Sequence, residues 1–117
     1  MRKYVLFLNT ISEIGGAELY VLRKARFLEN NGFKVYIVTG KAQNIRFTEF
    51  YDYEFLEIKE IVISPNLFCK NEISGILERI LAFIHYQEQD EIFVESHQIY
   101  PAMWAEIFAQ KVNRVNL

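Results

Sequence analysis

The stretch Tyr4-Val5-Leu6-Phe7-Leu8 runs into Asn9-Thr10-Ile11-Ser12-Glu13-Ile14-Gly15-Gly16, and Ala17-Glu18-Leu19 follows. The first five residues are an unbroken apolar run, the pattern of a strand buried on both faces. From Ala17 the period changes. Ala17, Val21, Ala25 and Leu28 recur at helical spacing, with Arg23 and Arg26 on the other side. Strand, glycine loop and helix, in that order, present bare backbone N–H groups to an anion. The paired glycines have a plainer use as well, because a tight strand-to-helix turn favours residues free to take positive φ. No G-x-G-x-x-G and no Walker A lysine is present. Seven residues lie between Leu8 and Gly16, more than a minimal βα turn needs, and a long loop at the carboxyl end of a strand suits a binding site.

Outward from this stretch, helix and strand patterns alternate. The first helix is expected over 17–30, closed by Asn30-Asn31-Gly32 with Gly32 in the left-handed cap position. Phe33 to Thr39, rich in β-branched residues, reads as a strand that Gly40 closes. Residues 41–58 hold Phe47, Phe50, Tyr51, Tyr53, Phe55 and Leu56 without one period. A short strand is expected near 54–58 or 60–63, before Pro65. The stripe Ile73, Ile76, Leu77, Ile80, Leu81 and Ile84 predicts a helix over 71–88, and Glu91 to Glu95 a strand. Pro101 suits the first turn of a helix running to about Lys111, and Arg114 to Leu117 reads as the opening of a further strand.

Such alternation implies parallel βαβ units with right-handed crossovers. The expected fold is α/β: a doubly wound, mainly parallel, Rossmann-like sheet of strand order near 3-2-1-4-5, one domain spanning 1–117 and incomplete at its carboxyl end. Ligands of such sheets bind beyond the carboxyl ends of the strands where the order reverses. That point falls between the first strand and the one at 91–95, so the loop 9–16 and the segment 95–100 should face each other across one crevice.

Composition limits the function. The chain has 117 residues, 51% of them apolar, with ten Phe and seven Tyr, enough for one packed core. Thirteen basic and fifteen acidic residues give a net charge of −2, which argues against a nucleic-acid partner. Cys69 is the only cysteine, so no internal disulfide forms, as in a reducing cytoplasm. The apolar run that follows Met1-Arg2-Lys3 stops at Asn9, short of a signal-peptide core, and no run approaches the roughly 18 apolar residues of a spanning helix. The expectation is a cytoplasmic protein, with peripheral contact at a membrane surface left open. Arg23, Lys24 and Arg26 read as a solvated helix face, an anionic-lipid contact being the minor alternative.

Few residues offer chemistry. His97 follows the strand 91–95 and falls at the expected crevice, where an imidazole can bond a hydroxyl or a leaving-group oxygen. Glu95, two residues earlier, shares its side if the strand continues, and either orients His97 or is merely solvated. His85 reads as a boundary residue of its helix. One cysteine and two distant histidines make no typical zinc site, so no metal is expected. Ser12 and Ser96 lack a nucleophile-elbow motif.

The run Ile14-Gly-Gly-Ala-Glu-Leu-Tyr-Val-Leu22, the later Leu28-Glu-Asn-Asn-Gly-Phe-Lys-Val-Tyr-Ile-Val-Thr-Gly40 and the segment Glu91-Ile-Phe-Val-Glu-Ser-His97 together resemble the opening of GT-B glycosyltransferases, most of all the retaining family 4 type. Residues 41–90 match only in outline. The resemblance implies transfer of a sugar from a nucleotide-sugar donor to a hydroxyl acceptor, glycan or lipid-linked, without cofactor or metal. It implies that Ser12, Gly15, Gly16 and Glu18 line the cleft for the donor diphosphate or the acceptor, with Glu18 an anion at the helix start. His97 matches the cleft histidine that contacts the transferred sugar. Gln98 departs from the Ser, Thr or Glu common after that histidine, and the loop from Asn9 lacks the family's usual Pro or aromatic residues. The second domain, with its basic pair and Glu-x7-Glu motif, is not in these residues; Glu49 and Glu57, eight apart, fall before the third helix pattern and are not that motif. The chain alone is therefore expected to be inactive. The competing expectations are a non-catalytic subunit of a split transferase and a small flavodoxin-like binding domain.

Overall fold

The structure is a computed structural model. It describes the backbone of residues 1–11, 16–42 and 54–115, and the side chains of residues 1–10, 20–41 and 54–112. The elements are β1 (Arg2–Ile11), α1 (Gly16–Asn30), β2 (Lys34–Ala42), β3 (Glu54–Glu57), α2 (Lys70–Phe83), β4 (Glu91–Ser96) and α3 (Ile99–Val115), with 3-10 turns at Lys59–Val62 and Pro65–Leu67. The four strands form one parallel sheet of order β3-β2-β1-β4. This is the expected doubly wound, Rossmann-like α/β architecture.

Alternation along β1 divides the core in two. Leu6 and Leu8 face α1 and meet Val21, Leu22, Ala25 and Leu28. Val5 and Phe7 face the other way, into Ile76, Leu77 and Ile80 of α2 and Trp104, Ala105 and Phe108 of α3. A strand buried on both faces needs apolar residues at every position, which is why Val5 to Leu8 read as an unbroken run. Each such side chain contributes roughly 1.5–3 kcal/mol by its burial. The indole N–H of Trp104 donates to the Ile63 carbonyl at 2.8 Å, so its polar edge is satisfied within the core.

The helix ends follow from local chemistry. Gly32 takes φ +87; its N–H bonds to Glu29 O, and that of Phe33 to Leu28 O, closing α1 in a Schellman motif. The helix expected over 71–88 stops at Phe83. Ile84 is its cap, and His85 takes φ +52. His85 and Tyr86 donate to Ala82 O and Leu81 O, the same motif without glycine. Lys3 secures this end. Its buried ammonium donates to Ile84 O and His85 O, both at 2.8 Å, and lies 2.7 Å from Asp90 Oδ2.

Three other boundaries differ from expectation. Of the two places considered for the third strand, 54–57 is extended, whereas 59–62 is a 3-10 turn. The spacing of Ile58 and Ile61, both fully buried, suits one tight turn against the core. Gly40 does not close β2, which continues to Ala42. A Cβ at Gly40 would run into the Val62 side chain and approach Asn9 O to 2.9 Å, so glycine lets the 3-10 segment lie against β1 and β2. Arg114 and Val115, expected to open a fifth strand, belong to α3. The buried Phe108 and Val112 extend its inward stripe, and nothing after Pro101 breaks it. A fifth strand is not found among the described residues.

Candidate functional site

Parallel strands deliver their carboxyl ends to one edge. Asn9 on β1, Thr39 and Gly40 on β2, and His97 and Gln98 beyond β4 meet there. The strands leaving β1 run to β2 and β3 on one side and to β4 on the other. The β1/β4 gap is therefore the reversal point at which ligands of such sheets bind.

Two bonds join its walls. His97 N–H donates to Phe7 O at 2.9 Å, continuing the ladder one residue past β4. Asn9 N–H donates to the side-chain carbonyl of Gln98 at 3.2 Å. Gln98 takes φ +70, a left-handed conformation uncommon outside glycine, while its main-chain carbonyl accepts from Ala102 N and starts α3. Thr39 Oγ1 reaches Asn9 O at 3.3 Å. Asn9 Oδ1 is buried and has no hydrogen-bond partner among the described residues, a state that costs free energy unless a further group donates to it.

Above this edge, on the α1 side, the Glu95 carboxylate gathers three side chains, from β1, from α1 and from the residue just past β4. Ile92 and Val94 pack on the α2/α3 core, so Glu95 and His97 both point to the α1 face. Glu95 Oε2 lies 2.9 Å from His97 Nε2. Its Oε1 accepts from Tyr4 Oη at 2.8 Å and lies 3.0 Å from the Lys24 ammonium. Burial pushes the Glu95 carboxyl up, and the bonds from Lys24, Tyr4 and His97 more than offset this, leaving it below its ordinary value. The bond to Glu95 in turn raises the Lys24 ammonium. Burial first, and then Glu95, raise the Tyr4 phenol. At neutral pH the carboxylate is charged, so His97 Nε2 carries the proton that it accepts. In the neutral ring, Nδ1 is then the free acceptor; in the charged ring it becomes a second donor. Tyr20 packs edge-on against the imidazole, with centroids 5.3 Å apart.

Of the residues singled out from sequence, Glu95 and His97 are in contact. Gly16 is the first residue of α1 and Glu18 lies in its first turn. Tyr20, one helical turn beyond Gly16, touches His97, so the amino end of α1 and the end of β4 meet as the topology required. Ser12 and Gly15 lie outside the described residues. Lys24 departs from the solvated face read for it, because it binds Glu95, whereas Arg23 and Arg26 are exposed. His85 lies beyond α2, exposed, away from this edge.

Sequence reasoning did not find Tyr4, Tyr20, Lys24, Asn9 or Gln98. Tyr4 had a signal, since parity puts it on the same face as Leu6 and Leu8 next to β4. Gln98 had none, because its role depends on a backbone angle. Among the described residues no group of side chains could hold a metal ion, and no helix is long and apolar enough to cross a membrane.

The arrangement offers an oriented imidazole, an amide oxygen unpaired among the described residues and the amino end of a helix around one gap. Imidazole and amide suit hydroxyl-rich ligands, and a helix amino terminus suits an anion. No protein-family model, no curated protein and no solved structure matches this chain.

Proposed function

We propose that this chain is the acceptor-side, Rossmann-like domain of a retaining GT-B glycosyltransferase, which moves a sugar from a nucleotide-sugar donor to a hydroxyl acceptor. The observation that carries the reading is the Glu95–His97 pair. It is set at the β1/β4 reversal point and packed against α1 one turn from Gly16. On this reading His97 bonds a hydroxyl of the transferred sugar through Nδ1, and Glu95 holds the ring in that tautomer. The amino end of α1, which Gly16 opens and Gly15 precedes in sequence, stabilises charge that develops on the diphosphate leaving group. No nucleophile is assigned, and no cofactor or metal takes part. A second domain carries most of the donor contacts, so the chain alone binds nucleotide sugars weakly and does not turn them over. Contact with a membrane surface belongs to this reading only if the acceptor is lipid-linked.

Calorimetric titration tests it. Nucleotide sugars should bind in the millimolar range, and His97→Ala should lose that binding while keeping the thermal midpoint. Micromolar binding of flavin mononucleotide, with none of nucleotide sugars, would assign the crevice to a flavodoxin-like function instead.

A further inference from the structure

Lys24 lies four residues beyond Tyr20, so the two share the face of α1 that is turned to β4. Tyr20 meets the His97 ring, and Lys24 meets Glu95. The two oxygens of that carboxylate are divided. Oε2 lies 2.9 Å from His97 Nε2, while Oε1 lies 3.0 Å from the Lys24 ammonium and accepts from Tyr4 Oη at 2.8 Å. The Lys24 side chain is 30% exposed and that of Glu95 19%, so water and salt screen the pair only in part. The bond to Glu95 raises the Lys24 ammonium above its ordinary value, and it stays charged throughout the range in which an imidazole titrates. Around the ring and its carboxylate stand Tyr4 on β1, Tyr20 and Lys24 on α1 and Glu95 on β4; of these only Lys24 and Glu95 carry charge at neutral pH. The amino end of α3, two residues past His97, adds a partial positive charge.

A carboxylate with no other partner draws a second proton onto an imidazole beside it, because opposite charges favour the ionised form of each. The ring would then be an imidazolium, a donor at both nitrogens, and Nδ1 could accept nothing. A cation on the other carboxylate oxygen opposes that draw. We propose that Lys24 is a positioning residue of the crevice: by occupying Glu95 Oε1 it keeps the His97 ring neutral, with Nε2–H on the carboxylate and Nδ1 free to accept from a hydroxyl. Tyr4 bonds the same oxygen without charge, so it fixes the place of the carboxylate while Lys24 offsets its charge. This balance stands on the contacts of Glu95 and does not need the glycosyltransferase reading. Its consequence for a ligand rests on that reading: a hydroxyl of the transferred sugar can donate to Nδ1 only while the ring is neutral.

NMR titration of the His97 ring in the free chain tests it. Lys24→Met keeps the apolar stem and removes the charge, and it should move the His97 titration midpoint up by about one pH unit. Lys24→Arg keeps the charge and should hold the midpoint near that of the parent chain. Lys24→Gln, polar but neutral, should move it the same way as methionine and serves if the methionine variant does not fold. In a Glu95→Gln background nothing anchors the ammonium, so Lys24→Met should then move the midpoint little. A midpoint unchanged or lowered in Lys24→Met and Lys24→Gln overturns the proposal. A full shift that persists without Glu95 overturns the route through the carboxylate. With nucleotide sugars added, Lys24→Met should bind about threefold more weakly than the parent chain at neutral pH and equally well in mildly alkaline solution. Absence of nucleotide-sugar binding in every variant would contradict the glycosyltransferase reading, while the titration of the free chain still decides the role of Lys24.

Discussion

Glu95 Oε2 and His97 Nε2 lie 2.9 Å apart, on the same face of β4, while the other oxygen of Glu95 takes Tyr4 and Lys24. The carboxylate thus ties β4 to β1 and α1 and fixes the imidazole in the same act. Glu95→Gln removes the charge but keeps the shape. It should lower stability by about 2 kcal/mol, because Lys24 and Tyr4 lose a charged partner. It should also free the His97 ring, which NMR of the imidazole nitrogens reads as loss of the single Nε2–H tautomer. A ring that keeps its tautomer in Glu95→Gln would show that another group orients it.

Glu95 and Asp90 give the stability a definite pH dependence. Both carboxyls lie below their ordinary values in the folded chain. Burial raises each, and hydrogen bonds outweigh it: Lys24, Tyr4 and His97 at Glu95, and chiefly Lys3 and the Gln87 N–H at Asp90. The unfolded chain therefore binds more protons in acid. The stabilisation is complete above the unfolded values, about pH 4, and is lost as pH falls through the folded ones. Urea midpoints should drop steeply below about pH 4, and Glu95→Gln should flatten that slope. A slope identical to that of the parent chain would remove Glu95 from the linkage.

Lys3 is 4% exposed, and its ammonium is held by Ile84 O, His85 O and Asp90. Lys3→Met strands Asp90 at the foot of the sheet and uncaps α2. The expected loss is about 3 kcal/mol, read from urea unfolding. A change below about 0.5 kcal/mol, the level of an ordinary surface substitution, would mean that Asp90 finds enough support from the Gln87 N–H and the chain's own amino terminus.

Two backbone positions make opposite predictions. His85→Gly relieves a left-handed conformation at an exposed residue and should stabilise the chain by about 0.5 kcal/mol, after the entropy cost of glycine in the unfolded state. Gly40→Ala forces Val62 aside and crowds Asn9 O, and should cost about 2 kcal/mol. Thermal midpoints of the two variants should therefore move in opposite directions.

The fold was legible because its signals are periodic. Val5 to Leu8 announced a doubly buried strand, the spacing from Val21 to Leu28 gave α1, and Gly32 marked its end. The errors fall where a tertiary contact decides. α2 stops early because His85 accepts a left-handed angle that pattern assigns to glycine. α3 runs through Arg114 because Phe108 and Val112 are buried. Lys3, for which the sequence offers no signal, is buried because one carboxylate and two carbonyls surround it. At the site, topology brought Glu95, His97 and the amino end of α1 together, but Tyr4, Tyr20 and Lys24 joined them only through register and helix rotation.

The central claim is that the β1/β4 crevice receives a nucleotide sugar with His97 at its centre. The most direct measurement is a 15N-resolved NMR titration of the chain with nucleotide sugars. The account predicts saturable shifts confined to Asn9, Gly16, His97 and Gln98, with the His97 Nδ1 resonance moving most, and their disappearance in His97→Ala. Shifts centred elsewhere, or none as the ligand reaches high millimolar concentration, would contradict it.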